Sequence, residues 1–347
     1  MAERLAESRW FYSQPTSGIV EEWFKRNEEN LRETWGDPWV LDNAFILNAV
    51  FTSWTAELKE RYTRDQVIMT KDGPHVPVED SELWNVWQEY TNSPKARDDF
   101  NGSKLHLHSY SRVLTDTKLR LVTSQYDWHR MRTLGMGLRD GVLPNGEPFP
   151  QREEYRDNFL PVRVNGGYVF LPENHPNNLV VQVTITTADN YLLTTKQPDD
   201  ADYYPGAINA TIAEQMHGQR DTSPFDTVER AVSKVGGEEL KLTLIPEETR
   251  LAAMAVELDC NAVAMMMTAR CAERSDQIDA SVLGIDKDEF DQKYRIGKYS
   301  LEKPDELVQL FYNPHLLHGL SRIRIVAALS DVHGYEGALD ILYQSKR

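Results

Sequence analysis

The chain has 347 residues, enough for two domains and a large core at ~100–200 residues per domain. Hydrophobic residues make up 40% and charged residues 27% of it, a globular balance that excludes a disordered or collagen-like chain. Asp plus Glu number 54 against 38 Lys plus Arg, a formal charge of −16; such a surface repels nucleic-acid backbones and anionic lipid, although a bound metal can invert the sign locally for a small anionic ligand.

The first nine residues carry charge where a signal peptide needs an apolar core. All eight tryptophans fall within the first 128 residues, and a loop with three prolines and an Asn-Gly follows at 141–150. This shift in composition predicts a Trp-rich domain over 1–160 and a second domain over 161–347. In the first, helical spacing of Ile19, Trp23, Phe24 and Leu31 and a second candidate over 41–58 predict helices, whereas alternation over 104–110 and 118–122 predicts two strands. The domain is therefore expected to mix helix and sheet. His106 and His108 share one side of the first strand, but no third ligand accompanies them, so an ordinary strand face is expected rather than zinc.

The second domain opens with a hairpin. Residues 179–187 alternate and are β-branched, 188–190 turn, and 191–195 return. A turn at Tyr204-Pro205-Gly206 precedes a short strand over 208–212. Ser223 then caps a helix, with Pro224 at its first position and Asp226 as the capping-box acceptor. Phe225, Val228, Val232 and Val235 form its apolar stripe, and the helix is expected to reach Leu240. Gly236 and Gly237 disfavour helix by ~1 kcal/mol each and call for an early helix end or a close backbone approach. Residues 252–269 read as one or two buried strands, interrupted for any membrane span by Glu257 and Asp259. The acid-rich stretch at about 273–303 reads as an exposed insertion, and 320–328 and 335–343 as C-terminal helices. Cys260 and Cys271, the only cysteines, form neither a disulfide framework nor a Cys-x-x-Cys zinc site; they read as buried thiols of a cytoplasmic protein.

On a 3.6-residue period Val235, Glu238 and Glu239 share a helix face. The hairpin, the glycine turn and a helix ending in paired glutamates resemble the Nudix superfamily in architecture over about 165–345, and in motif over 226–242. The family box reads Gly, five residues, Glu, seven residues, then Arg-Glu-apolar-x-Glu-Glu-x-Gly-apolar. Matching its paired glutamates to Glu238 and Glu239 puts Lys234 on the Arg, Asp226 on the upstream Glu and Leu242 on the closing apolar residue. Val235 then replaces the first Glu, Gly236 the apolar residue, Arg220 the opening Gly (Gly218 lies nearby) and Lys241 the closing Gly.

The resemblance implies an α+β protein: a Nudix-like α/β/α sandwich with a mixed sheet behind an N-terminal mixed domain. It implies a Mg²⁺- or Mn²⁺-dependent hydrolase of a nucleoside diphosphate linked to another moiety. Glu238 and Glu239 would be its metal ligands and catalytic acids, and Lys234 would orient the carboxylates or neutralise phosphate. Glu214 and Glu257 are candidates for the carboxylate lost at Val235. Such a metal offsets charge on phosphate oxygens and activates water. Val235, Arg220 and Lys241 favour the alternative, a catalytically degenerate module that binds a nucleotide-type small molecule or a protein partner, including a second copy of the chain. A third reading is an interaction protein acting through its Trp-rich domain. No nucleic-acid or membrane partner is expected.

Overall fold

The structure is a computed structural model. It describes residues 40–41, 44–46, 61–74, 82–92, 101–113, 118–131, 161–164, 167–170, 177–199, 204–257, 262–279, 282–284, 296–313 and 316–344, with 133, 142, 146, 148 and 201 singly. The helix expected around 19–31, five of the tryptophans and Cys260 lie outside the described residues.

In chain order the strands and helices begin with β1 (Val40–Leu41), β2 (Ala44–Ile46), β3 (Val67–Pro74), α1 (Glu82–Thr91), β4 (Ser103–Val113), β5 (Lys118–Asp127), α2 (Trp128–Met131), β6 (Val162–Val164) and β7 (Gly167–Val169). They continue with β8 (Asn178–Thr186), β9 (Tyr191–Lys196), β10 (Ile208–Asn209), β11 (Ile212–Gln215), α3 (Pro224–Ala231), β12 (Arg250–Glu257), β13 (Ala262–Arg270), β14 (Gly297–Ser300), α4 (Asp305–Phe311) and α5 (Ser321–Gln344). Two mixed sheets result. One has the order β3-β5-β4-β7-β6, with β3 parallel to β5. The other runs β1-β2-β12-β13-β8-β9-β10, with β11 also on β8 and β14 also on β9; β13 and β8 are its parallel pair. The α+β class is as expected.

Alternation along β8 explains how the second sheet is buried. Leu179, Val181, Val183 and Ile185 face one core, shared with Phe225 and Val228 of α3 and Leu105, Leu119 and Leu121 of the first sheet. On the other face Ala253, Ala255, Ala264 and Met266 meet α4 and α5 through Phe311, Ile323, Val326 and Leu342. Small side chains there let the helices lie close, which is why 252–269 is rich in alanine yet forms strands. The boundary expected near 160 falls just ahead of β6, whose hairpin with β7 joins the first sheet through β4. Conversely, β2 pairs with β12, so 44–46 is strand where a helix over 41–58 was expected; pairing to a strand some two hundred residues away overrides local periodicity. In the acidic stretch, β14 pairs with β9 and Ile278, Val282 and Leu301 are buried. That part of the expected insertion is integral to the fold.

The expected hairpin is β8 and β9, turning through Asn190 at φ 59°. The two strands pair only at Thr186 and Leu192. Beyond that they part, β11 pairing with β8 and β10 with β9, and the single strand expected over 208–212 is thus divided. Arg324, 1% exposed, fills the parting. Its Nε donates to Thr184 Oγ1 (3.3 Å) and its Nη1 to Gln182 Oε1 (3.4 Å) and Asn209 Oδ1. Its Nη2 donates to Ile212 O (2.9 Å) and Val183 O. Gln182 in turn donates to Glu257 Oε1 (2.9 Å). Burial lowers the Arg324 pKa to about 9, opposed by Glu257. At its C-terminal end α5 breaks at Gly334 (φ 70°), where the sequence separates two helical patterns.

Replacing Arg324 with Leu would leave carbonyls of β8 and β11 buried without donors, and is expected to destabilise by ~3–5 kcal/mol. Urea unfolding should show this as a lower midpoint; an unchanged midpoint would mean that the seam closes without the guanidinium.

Candidate functional site

The helix α3 begins with the serine cap and proline that the sequence predicts, but without the capping box: the Asp226 carboxylate accepts from Thr222 N–H and hydroxyl instead. Ser223 Oγ accepts from Asp226 N–H (3.3 Å) and Pro224 opens the first turn. It does not reach Leu240. It ends at Ala231, because Val232 leaves helical geometry to form a bridge with Leu240, closed by Ser233 N–H on Leu240 O (3.1 Å). The glycines belong to that turn. Gly236 has φ +81°, and a Cβ on Gly237 would lie 2.0 Å from Leu240 O. Both explanations offered by the sequence, an early end and a close approach, therefore apply. Val232 is buried as expected, but Val235 is 88% exposed on the turn. Val235, Glu238 and Glu239 consequently share no helix face.

The charged centre is Arg230, in the last turn of α3. Its Nη2 and Nε grip both oxygens of Asp221 (2.9 and 3.2 Å). Its Nη1 reaches Glu214 Oε1 on β11 (3.0 Å) and Glu238 Oε2, and Nη2 also donates to Gln215 O (3.0 Å). Asp221 is buried and accepts further from His217 N–H (2.7 Å) and Thr227 Oγ1–H (2.9 Å). Burial disfavours the Arg230 charge, but the bonds to Asp221 and the nearby Glu214 outweigh it and raise the pKa above the ordinary arginine value.

The expected site residues separate into four places. Glu238 is held between Arg230 and Arg220, whose Nη1 lies 3.0 Å from Glu238 Oε1. Glu214 shares Arg230. Glu239 is 4% exposed; its peptide anchors the loop through N–H to Ala231 O (2.9 Å) and by accepting from Gly284 N–H (2.7 Å). Lys234, 61% exposed, pairs with Glu273 (3.0 Å), which Thr243 binds through its N–H and hydroxyl. Lys234 therefore ties two loops together and does not orient the glutamates. Glu257 lies on the opposite face of the sheet, beside Gln182, because the register places it with the even-numbered residues of β8. Asp226 accepts from Thr222 N–H (2.8 Å) and pairs with Arg64 (2.8 Å); burial is outweighed by the Thr222 bonds, so its pKa is lowered.

These placements take the paired glutamates off the helix on which the pattern needs them. The basic residue of the helix is Arg230, four before Lys234. With Arg230 on the Arg of the pattern, Ala231, Lys234 and Val235 stand where it has three glutamates, and Gly237 stands on its closing glycine. Asp221, separated from Arg230 by eight residues where the pattern has seven, makes the ion pair. Glu214, Glu238, Glu239 and Glu257 do not fit a divalent cation. Two of the acids are taken by guanidinium groups, one is too buried for the water-rich shell that Mg²⁺ keeps, and one is across the sheet. Among the described residues no group of three or more His, Cys, Asp or Glu is placed to hold a metal ion. His106 is likewise occupied, its Nδ1 accepting from Asn177 N–H (3.0 Å). Cys271 is buried, which raises its thiol pKa to about 12.

No protein-family model and no curated protein matches the chain. Among solved structures it is similar to Tm1382, proposed to be a Nudix hydrolase, over 66% of this chain and 98% of that one, at 13% identity and a TM-score of 0.33. A likeness at that distance leaves the functional reading to the geometry of the site. No helix among the described residues is long and apolar enough to cross a membrane.

Arg230 and Asp221 were not singled out by sequence reasoning. The available signal was that Arg230 is the only base on the capped stretch 224–231. Arg230→Met would strand the buried Asp221 and is expected to cost ~3–5 kcal/mol. Lys234→Met removes an exposed pair and should cost under about 1 kcal/mol. Equal shifts of the two variants in urea unfolding would contradict this division.

Proposed function

We propose that this chain is a catalytically degenerate Nudix-like module that binds a nucleotide-type small molecule without hydrolysing it. The observation that carries the reading is Arg230. A fixed guanidinium stands among Glu214, Asp221 and Glu238, the place where a hydrolase of this type would need cations. The substitutions at Ala231, Lys234 and Val235 support the same reading, because no carboxylate follows Arg230 on the helix. The ligand class rests on the sequence resemblance; a protein partner is the other occupant that a degenerate module would take.

Calorimetry with Mg²⁺ and Mn²⁺, and turnover assays on nucleoside diphosphate sugars, dinucleotides and nucleoside triphosphates, separate the readings. The expected outcome is no cation binding and no turnover, with nucleotide binding that persists in a chelator. Val235→Glu is expected to leave Mg²⁺ affinity unchanged, since its side chain would extend from an exposed turn. Metal-dependent turnover that disappears in Glu239→Gln would restore the hydrolase reading.

A further inference from the structure

Besides the core they share, the two sheets meet at the turn between β11 and α3, and Gly218 makes polar contacts there with three strands. Gly218 N–H donates to Ser103 O on β4 (3.0 Å). Its carbonyl accepts from Lys71 Nζ on β3 (2.7 Å) and from Gln125 Nε2 on β5 (2.9 Å). A Cβ at Gly218 would lie 2.1 Å from Ser103 Oγ and 3.0 Å from Lys104 O. Three strands of the first sheet thus close on a single peptide, and a neighbouring bridge joins Lys104 to His217.

The shape of the turn depends on His217. Its ring Nδ1 accepts two backbone bonds, from Gln219 N–H (3.1 Å) and Arg220 N–H (3.2 Å). Its carbonyl accepts from Asp221 N–H (3.1 Å). Both ring-directed donors need a lone pair on Nδ1, which only the neutral imidazole supplies. A proton there would point a third donor at two donors.

We propose that this turn is an acid-released latch: protonation of His217 breaks the two backbone bonds to Nδ1, opens the turn, and frees the first sheet from Gly218. The groups facing the ring reinforce it. Arg220 lies on the turn, Lys104 comes from the first sheet and Arg230 from α3; Asp221 opposes them, Lys71 is engaged with the Gly218 carbonyl, and Glu214 and Glu238 are spent on Arg230. Burial first, and then Arg220, hold the His217 pKa below its ordinary value. A base with a lowered folded pKa contributes fully above its unfolded pKa, ~6.5, and loses that contribution as the pH falls from there through the lower folded pKa. The latch is therefore shut at neutral pH and opens in acid, below the ordinary imidazole range. It is independent of any ligand, so its test does not share the fate of the binding proposal.

Hydrogen exchange of the full chain, corrected for intrinsic rates, should be read at about pH 7.5 and about pH 4.5, the second well below the ordinary imidazole range because the His217 pKa is lowered. The expected result is at least a tenfold loss of protection at the Gly218, Gln219 and Arg220 amides on acidification. His217→Gln keeps an acceptor and cannot titrate, so its protection should not change with pH. Gly218→Ala should be unprotected at both. Protection unchanged in the wild type, or lost equally in His217→Gln, would overturn the proposal. In the wild type alone, the midpoint of the His217 ring resonance must coincide with that of the Gly218 amide shift; distinct midpoints would also overturn it.

Discussion

Arg324 sits where β8 and β9 separate, and the second sheet is organised around satisfying it. A planar fork of five N–H donors meets oxygens from Gln182, Val183, Thr184, Asn209 and Ile212. Removing a guanidinium from water is costly, and it is tolerated only where the remaining hydrogen bonds are complete. Three strands must therefore hold fixed positions together. If β11 slipped by one residue, the Ile212 carbonyl would leave Nη2 and the apolar face of β11 would turn outward. The charge on α5 thus does more than pack the helix; it specifies the register of strands on the other side of the chain. Glu257, reached through Gln182, supplies nearby negative charge.

The opposite face of the same sheet repeats the principle with Arg230, and there it bears on function. Three carboxylates from a strand and two loops converge, but two guanidinium groups meet them, leaving about one net negative charge. Charge-assisted bonds of this kind are short and strong. A divalent ion entering among them would have to displace Arg230 from Asp221, which is buried and would lose its paired cation. An acidic cluster is therefore poor evidence for a metal when its counter-charge is already covalently part of the chain.

Local features were legible in the sequence and long-range ones were not. The β8–β9 hairpin, the turn at Gly206, the Ser223 cap with Pro224, and the break at Gly334 each rest on the chemistry of a few adjacent residues, and the structure has all four. The end of α3 was harder. The apolar stripe continues through Val232 and Val235, so periodicity extends the helix, whereas a bridge from Val232 to Leu240 ends it. Gly236 and Gly237 were the local signal of that break. Taken as a C-terminus, they stop the helix before Lys234 and take Glu238 and Glu239 off it. Instead the paired glutamates fixed the alignment, because two adjacent acids are a conspicuous chemical pattern even when they close a loop. The pairing of β2 with β12, and the hairpin β6–β7 on the first sheet, have no local signature.

The same group that neutralises the acids also positions them, and this limits what the site can become. Glu214 comes from β11, Asp221 from the turn at Gly218, and Glu238 from the loop after α3. Among the described residues, Arg230 is the group that contacts all three. Substituting Arg230 to make room for a cation would therefore release the loops that bring the acids together, leaving a metal to supply both the charge and the folding energy. Metals do so only where ligands are numerous and otherwise free. Here Glu238 keeps Arg220, and Asp221 keeps its bonds to His217 and Thr227. An ion would meet two acids still engaged elsewhere and one, Glu214, on a strand edge. Building a metal centre here would thus require acids placed anew along α3, beyond the loss of its arginine.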